Sequence, residues 1–207
     1  VLDLDNTCWG GEIGESGLNE IQIGPETAIS EAYSEFQKYI KSLQARGVIL
    51  SACSKNDFKN AKNGFLHPNS VLNFKDFTSF VANFSPKNEN IVNIAKEINI
   101  STSSLVFIDD NPVERGLVAS QVPNVSVPNV GSNIVDYIDY IDKNGYYEVI
   151  SLSQDDINRG MYYKKSKKMH QDMATFKSYN DFLTSLEMEI KIEPFSIIFK
   201  DRISQLI

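Results

Sequence analysis

Short, wholly apolar segments alternate with amphipathic helical patterns along the first 150 residues. Val1–Asp5, Val48–Cys53 and Leu105–Ile108 are apolar runs of strand length. Between them, apolar residues recur every three or four positions, as in the segment from Pro25 to Arg46. Strands that are apolar on both faces are typical of a parallel sheet covered by helices on both sides. The sequence therefore predicts a three-layer α/β fold with a parallel sheet of about five strands.

The pattern changes after residue 150, and we divide the chain there. Residues 1–150 are expected to form the catalytic core, and residues 151–207 a helical extension or the start of a further domain. The chain begins without Met inside an apolar run, so we expect it to be a piece of a longer protein. The extension is predicted to contain helices at Asp155–Thr175, Tyr179–Leu186 and Pro194–Leu206, with an exposed strand at Glu187–Ile192.

Composition and charge exclude several classes of protein. With 42% hydrophobic and 23% charged residues, the chain resembles a soluble globular protein and not a disordered one. A net charge of −7 argues against a nucleic-acid partner. No apolar run approaches the ~20 residues of a membrane helix. Two cysteines cannot form a disulfide scaffold, so we expect a reduced, cytoplasmic protein.

Polar residues cluster where the predicted strands end. Asp3 and Asp5 share a face of the first strand and repel each other, which a cation would relieve. With Asp109 or Asp110 from another strand end, the site becomes rich in hard oxygen ligands, which suits Mg²⁺. A Mg²⁺ site of this kind leaves positions open for phosphate oxygens. Lys87, ahead of a predicted helix, and Ser54, at a predicted strand end, could bind the phosphate oxygens that the metal does not. This combination favours phosphoryl transfer.

The order of these segments matches a known superfamily. Asp3-Leu4-Asp5-Asn6-Thr7, Ser54, Lys87 and Ile108-Asp109-Asp110 resemble the four motifs of the haloacid dehalogenase (HAD) phosphotransferases. Asp3–Gly11, Cys53–Asn56, His67-Pro68 and Phe107–Arg115 are similar, more closely, to the FkbH-like branch, subfamily IIIC. The resemblance implies a Rossmannoid HAD-like core. Residues 9–24 would form a small flap instead of a cap domain, which leaves the site open to a large substrate.

The resemblance also implies a role for each matching residue. Asp3 would be the nucleophile that forms an aspartyl-phosphate, and Asp5 the general acid and base. Lys87 would steady the nucleophile and the phosphate. The implied Mg²⁺ ligands are Asp3, Asp5, Asp109 and Asp110, although the sequence does not say which of the last two contacts the metal directly. The implied phosphate-binding and loop-shaping residues are Ser54, Lys55, Asn56, Thr7 and Asn6.

We therefore predict a Mg²⁺-dependent phosphatase or phosphotransferase that acts on a phosphorylated small molecule. FkbH-like enzymes are associated with glyceryl transfer from 1,3-bisphosphoglycerate to a carrier-protein thiol, which is the alternative function. Cys8 follows the first motif and is either the acyl acceptor or an inert small hydrophobe. The acyl phosphate and an acyl carrier protein would then be partners. A third reading is a HAD fold without activity that serves as a binding module.

Two further residues lie beside these motifs. Trp9 is interpreted as either a pocket wall or a loop anchor. Arg115, just beyond the acidic pair, is expected to be an exposed helix residue, with a role in binding phosphate or substrate as the alternative.

Overall fold

The computed structural model describes residues 1–149, 151–173, 175–176, 178–194, 196–200 and 203–204, with the side chains of 170 and 171 outside that description. By its internal contacts the chain forms two compact units, Val1–Lys167 and Lys168–Ile207. The prediction of a boundary after residue 150 stays a prediction.

The α-helices are α1 (Ile13–Ser16), α2 (Ala28–Ala45), α3 (Phe58–Asn63), α4 (Lys87–Glu97), α5 (Pro112–Gln121), α6 (Tyr137–Lys143), α7 (Gln154–Met173) and α8 (Tyr179–Ser185). Single 3₁₀ turns lie at Gly64–Leu66, Phe74–Asp76, Thr102–Ser104, Ile134–Asp136 and Ile197–Phe199.

A small parallel sheet forms the centre of the first unit. Strands β1 (Leu50–Ser54) and β2 (Phe77–Ala82) pair in parallel. Leu2 bridges β1 on one side and Ile108 on the other, and Val106 bridges Ser126. Five chain segments thus lie side by side, although only β1 and β2 are long enough to count as strands. Numbered along the chain, their spatial order is 3-2-1-4-5, which is a doubly wound arrangement.

Helices cover both faces of the sheet. On one face, α2 and α6 bury Phe36, Ile40 and Tyr137 in a core that includes Leu2 and Ile108. On the other face, α4 and α5 pack around Phe107 and Cys53 in a second core. Neighbouring residues such as Phe107 and Ile108 enter opposite cores because successive strand side chains alternate between faces. The prediction of a sheet buried on both faces is confirmed.

Residues 9–24 lead from the first segment of the sheet to α2. They contain the short helix α1 and one antiparallel bridge between Gly10 and Gln22, in which each amide donates to the other residue's carbonyl oxygen at 3.0 and 2.8 Å. The segment is small and lies directly beside the end of residues 1–3, so it is placed to contact the candidate site.

The second unit, Lys168–Ile207, is the smaller of the two. Helix α8 begins at the Ser178 side chain, which accepts a hydrogen bond from the Asp181 amide at 3.1 Å, and it buries Phe182 against Phe176. The strand predicted at Glu187–Ile192 is wrong, because this segment is irregular and Ile190 is exposed. The helix predicted at Pro194–Leu206 lies partly outside the described residues.

Candidate active site

The site lies where the parallel segments end. Asp3 closes the central segment, Ser54 closes β1, and Asp109 follows the segment on the opposite side of Asp3. The strand order reverses at the central segment, and in such sheets this is the place where a crevice opens at the carboxyl ends. Topology therefore brings these three residues together, although they are separated widely in sequence.

Lys87 links two of the carboxylates from the start of α4. Its ammonium nitrogen lies 2.9 Å from Oδ1 of Asp3 and 2.6 Å from Oδ2 of Asp109. Lys87, Asp3 and Asp109 are only 3%, 6% and 0% exposed. A buried charge of this kind persists only when it is paired, so the three groups depend on one another.

Burial sets the ionisation of this cluster. It raises the pKa of Asp3 to about 7, with the nearby charge of Asp109 adding to the effect and Lys87 opposing it. Burial alone would lower the pKa of Lys87, but the two carboxylates outweigh it and raise that pKa above its usual range. The pKa of Asp110 is also raised, first by burial and then by Asp109. Burial thus disfavours the charged forms of both Asp3 and Asp110.

Asp110 completes a cluster of three acidic groups. The carboxylate oxygens of Asp3, Asp109 and Asp110 lie within 4.8 Å of one another. The Thr7 hydroxyl donates to Oδ1 of Asp110 at 3.3 Å and accepts from the Asp110 amide at 3.1 Å. Oδ1 of Asp109 accepts from the Asn111 amide at 2.8 Å. This set of oxygen ligands fits a hard divalent cation.

The carboxylate of Asp5, a predicted Mg²⁺ ligand, lies outside this group of three carboxylates and is held by residues 9–24 and Asn56. The Trp9 indole and the Ile13 amide both donate to its Oδ1, at 2.9 and 3.1 Å. The Asn56 side chain donates to its Oδ2 at 2.8 Å. The structure thus pairs Asn56, which was predicted to bind phosphate, with the predicted general acid.

The other predicted phosphate-binding residues have different surroundings. Ser54 is buried at the last position of β1, at the sheet edge where Asp3 also lies. Lys55 is directed to Glu114 on α5, with 2.5 Å between Nζ and Oε1. Asn6 adopts a left-handed conformation (φ 55°), and its side chain accepts from the Gly11 amide at 2.8 Å, so it shapes the loop.

Cys8 is buried beneath the same loop. Its thiol is fully inaccessible and donates to the main-chain oxygen of Asp3 at 3.2 Å. Burial, with the charges of Asp3 and Asp5, raises the pKa of this thiol well above its usual range. In this conformation the sulfur is neutral and out of reach of an acyl donor. The acceptor role stays a prediction that requires the loop to open.

Arg115 contributes to the site although the sequence indicated an exposed residue. It is buried, and its Nη1 donates to the main-chain oxygens of Asp109 at 2.7 Å and Asp110 at 2.6 Å. Its Nη2 donates to Asn129 at 3.1 Å. The guanidinium group therefore holds the turn that carries both acidic residues. Its spacing from Asp110 was visible in the sequence, but the direction of its side chain was not.

A cavity of about 460 Å³ lies elsewhere, at the amino ends of the same segments. Val1, Ile49, Ser51 and Val106 are among its lining residues. None of the residues predicted for the active site lines it. The acidic cluster is instead at the carboxyl ends, so the cavity is not part of the candidate active site.

The chain is similar to a solved structure. It is the crystal structure of the N-terminal part of the protein BF1531 from Bacteroides fragilis, which contains a phosphatase domain and is complexed with Mg. The two sequences are 43% identical over 73% of this chain, with a TM-score of 0.71. The match spans 40% of the other protein's chain.

Other comparisons give no match. No protein-family model matches the sequence, and neither does any curated protein. Within the part of the chain that the structure describes, none of the helices combines the length and hydropathy needed to cross a bilayer.

Proposed function

We propose that the protein is a Mg²⁺-dependent phosphatase or phosphotransferase of the HAD type that works through an aspartyl-phosphate on Asp3. The observation that carries this proposal is the Lys87 ammonium group, held between the Asp3 and Asp109 carboxylates at the carboxyl ends of adjacent parallel segments. The similarity to a phosphatase domain complexed with Mg supports phosphatase activity and Mg²⁺ as the metal.

The metal would be held by the carboxylates of Asp3, Asp109 and Asp110, together with the main-chain oxygen of Asp5. The cluster has three carboxylates, of which the Lys87 ammonium group pairs with Asp3 and Asp109, while Arg115 is directed to main-chain oxygens. The cluster therefore needs further positive charge. Bound Mg²⁺ would supply it and would neutralise charge on the phosphate oxygens.

The protein's own groups would carry out two displacements. In the first, an Asp3 oxygen forms a bond to phosphorus while the bond to the leaving oxygen breaks, and Asp5 gives that oxygen a proton. In the second, Asp5 takes a proton from water, the water oxygen bonds to phosphorus, and Asp3 leaves as the carboxylate. With an alcohol in place of water, the same steps give phosphotransfer.

The neighbouring residues would bind the phosphate and shape the loop. The Ser54 hydroxyl, at the end of β1, would donate to a phosphate oxygen. Lys55 would reach the substrate only after leaving Glu114. Thr7 would hold Asp110, and Asn6 would fix the loop between them.

The finer assignments follow from the resemblance alone. Three points stay predictions. They are membership of the FkbH-like branch, transfer of a glyceryl group to a carrier-protein thiol, and the binding of an acyl carrier protein. The buried Cys8 thiol does not favour the transfer. The cytoplasmic location, and the division into a core of residues 1–150 and an extension of residues 151–207, also stay predictions.

The test is phosphate release from p-nitrophenyl phosphate, with and without Mg²⁺. We compare the wild type with Asp3→Asn and with Asp139→Asn, an exposed aspartate on α6 that serves as the matched control. We expect release that requires Mg²⁺, is lost in Asp3→Asn and is kept in Asp139→Asn. Release that survives in Asp3→Asn, or no release by the wild type, would contradict the proposal.

A further inference from the structure

The Asp5 carboxylate is held by three donors from two separate parts of the chain. Trp9 Nε1 and the Ile13 amide both donate to Oδ1, at 2.9 and 3.1 Å, and Asn56 Nδ2 donates to Oδ2 at 2.8 Å. An oxygen of a carboxylate has two acceptor positions. Oδ1 is therefore fully occupied, whereas Oδ2 keeps one position free.

The indole ring that makes the first of these bonds has a fixed location. Trp9 is fully buried and packs edge-on against Phe65, with 5.1 Å between ring centroids. The ring also lies close to Gly64, where an added Cβ would be 2.5 Å from the Cη2 atom of Trp9. A side chain at position 64 would thus displace the ring. The Trp9 donor is consequently held by packing and not only by its hydrogen bond.

We propose that Trp9 is a positioning residue that fixes the Asp5 carboxyl group so that the leaving-group proton is exchanged through Oδ2. The proposal rests on the proposed function, in which Asp5 is the general acid and base. When the P–O bond to the leaving oxygen breaks, the Oδ2–H bond breaks too, and its proton goes to that oxygen. Because Ile13 begins α1 in the flap, the flap helps to orient the acid.

The contact can be tested without any activity measurement. Trp9 is the one tryptophan of the chain, so ¹⁵N labelling gives a single indole N–H signal. We expect this signal to be protected from solvent exchange and to shift in Asp5→Asn, which exchanges one acceptor for a group of the same shape. Asp139→Asn should leave it unchanged. An indole signal whose position is the same in Asp5→Asn as in the wild type would overturn the proposal, whether or not the protein is a phosphatase.

The positioning role is tested by varying the leaving group. Trp9→Phe keeps an aromatic ring but removes the donor. An alkyl phosphate needs the general acid, which contributes about 10²–10⁴-fold to such reactions, whereas p-nitrophenolate leaves without it. We expect Trp9→Phe to lower kcat/KM at least about tenfold more for glycerol phosphate than for p-nitrophenyl phosphate.

A packing control distinguishes orientation from general damage. Phe36→Leu weakens a different ring contact, the one with Tyr137, and keeps both the indole donor and its contact with Phe65, so it should affect the two substrates equally. Gly64→Ala displaces the ring and should reproduce the selective loss. Equal losses for the two substrates in Trp9→Phe, or no loss with either, would overturn the positioning role. Inactivity of the wild type would count against the proposed function instead, and the indole signal would still report the contact.

Discussion

The ammonium nitrogen of Lys87 lies 2.6 Å from Oδ2 of Asp109, and both residues are almost completely buried. The same nitrogen also contacts Asp3 at 2.9 Å. One cation from the start of α4 thus ties together the ends of two adjacent segments of the sheet. This arrangement makes Lys87 important for both stability and chemistry, and the two contributions can be measured separately.

Lys87→Met should lower the free energy of unfolding by about 3–5 kcal/mol, because it leaves two buried carboxylates without their partner. The matched control is Lys38→Met. Lys38 is also paired with a glutamate, but its side chain is 58% exposed, compared with 4% for Lys87. Its loss should change stability by less than about 1 kcal/mol. Urea denaturation in the presence of a chelator measures both, and equal effects would argue against a buried charge cluster.

The same Lys87 variant should also release phosphate more slowly, by at least about 100-fold, since one preorganised charge at the reacting group is removed. The rates of the variant and the wild type are compared with p-nitrophenyl phosphate in buffer without urea, after circular dichroism has shown that the variant is folded. Wild-type rates in the folded variant would mean that Lys87 is structural only.

Arg115→Met should weaken Mg²⁺ binding by about 10–100-fold, as expected for a residue that orients the groups carrying metal ligands. The variant removes the donor to the main-chain oxygens of Asp109 and Asp110. Arg46→Met is the control, because Arg46 donates to the main-chain oxygen of Tyr147 at an exposed position away from the acidic cluster. Calorimetric titration with Mg²⁺ gives both affinities. Unchanged affinity in Arg115→Met would refute this role.

Both thiols should resist modification in the native protein. Cys8 and Cys53 are buried, and burial is the main cause of their raised pKa, which is about 12 for Cys53. A thiol with a raised pKa stays protonated at neutral pH, and the thiolate is the reactive form. We expect Ellman's reagent to label neither residue in buffer and both in urea.

Cys8→Ser provides the functional counterpart to this labelling. It should keep phosphate release within about threefold of the wild type, because the small change at a buried thiol leaves the acidic groups in place. Rapid native labelling of Cys8, or its acylation by an acyl phosphate, would instead support the alternative acyl-transfer reaction.

The sequence was sufficient to predict which residues converge. In a parallel sheet the carboxyl ends of the segments meet at one edge, so Asp3, Ser54 and Asp109 had to lie near one another once the strands were recognised. The roles of Arg115 and Trp9 were not predictable in this way. Their contacts depend on which direction a side chain takes from a helix or a loop, and that is decided by packing partners such as Asn129 and Gly64.

The wrong prediction at Glu187–Ile192 has a similar cause. Alternating apolar and charged residues indicate which side chains would share a face of a strand, but a strand also needs a hydrogen-bonding neighbour. The described residues provide no such neighbour for this segment, and Ile190 and Ile192 are exposed.

The most direct test of the account is to identify the residue that carries the phosphoryl group. Wild-type protein with Mg²⁺ is mixed with an aryl phosphate, quenched in acid within one turnover and reduced with borohydride, which converts an aspartyl-phosphate to homoserine. Peptide mass spectrometry then locates the product. The account predicts homoserine at position 3 and unchanged aspartates at positions 5, 109 and 110. Reduction at another aspartate, or a phosphoryl group on Ser54 or Cys8, would contradict it.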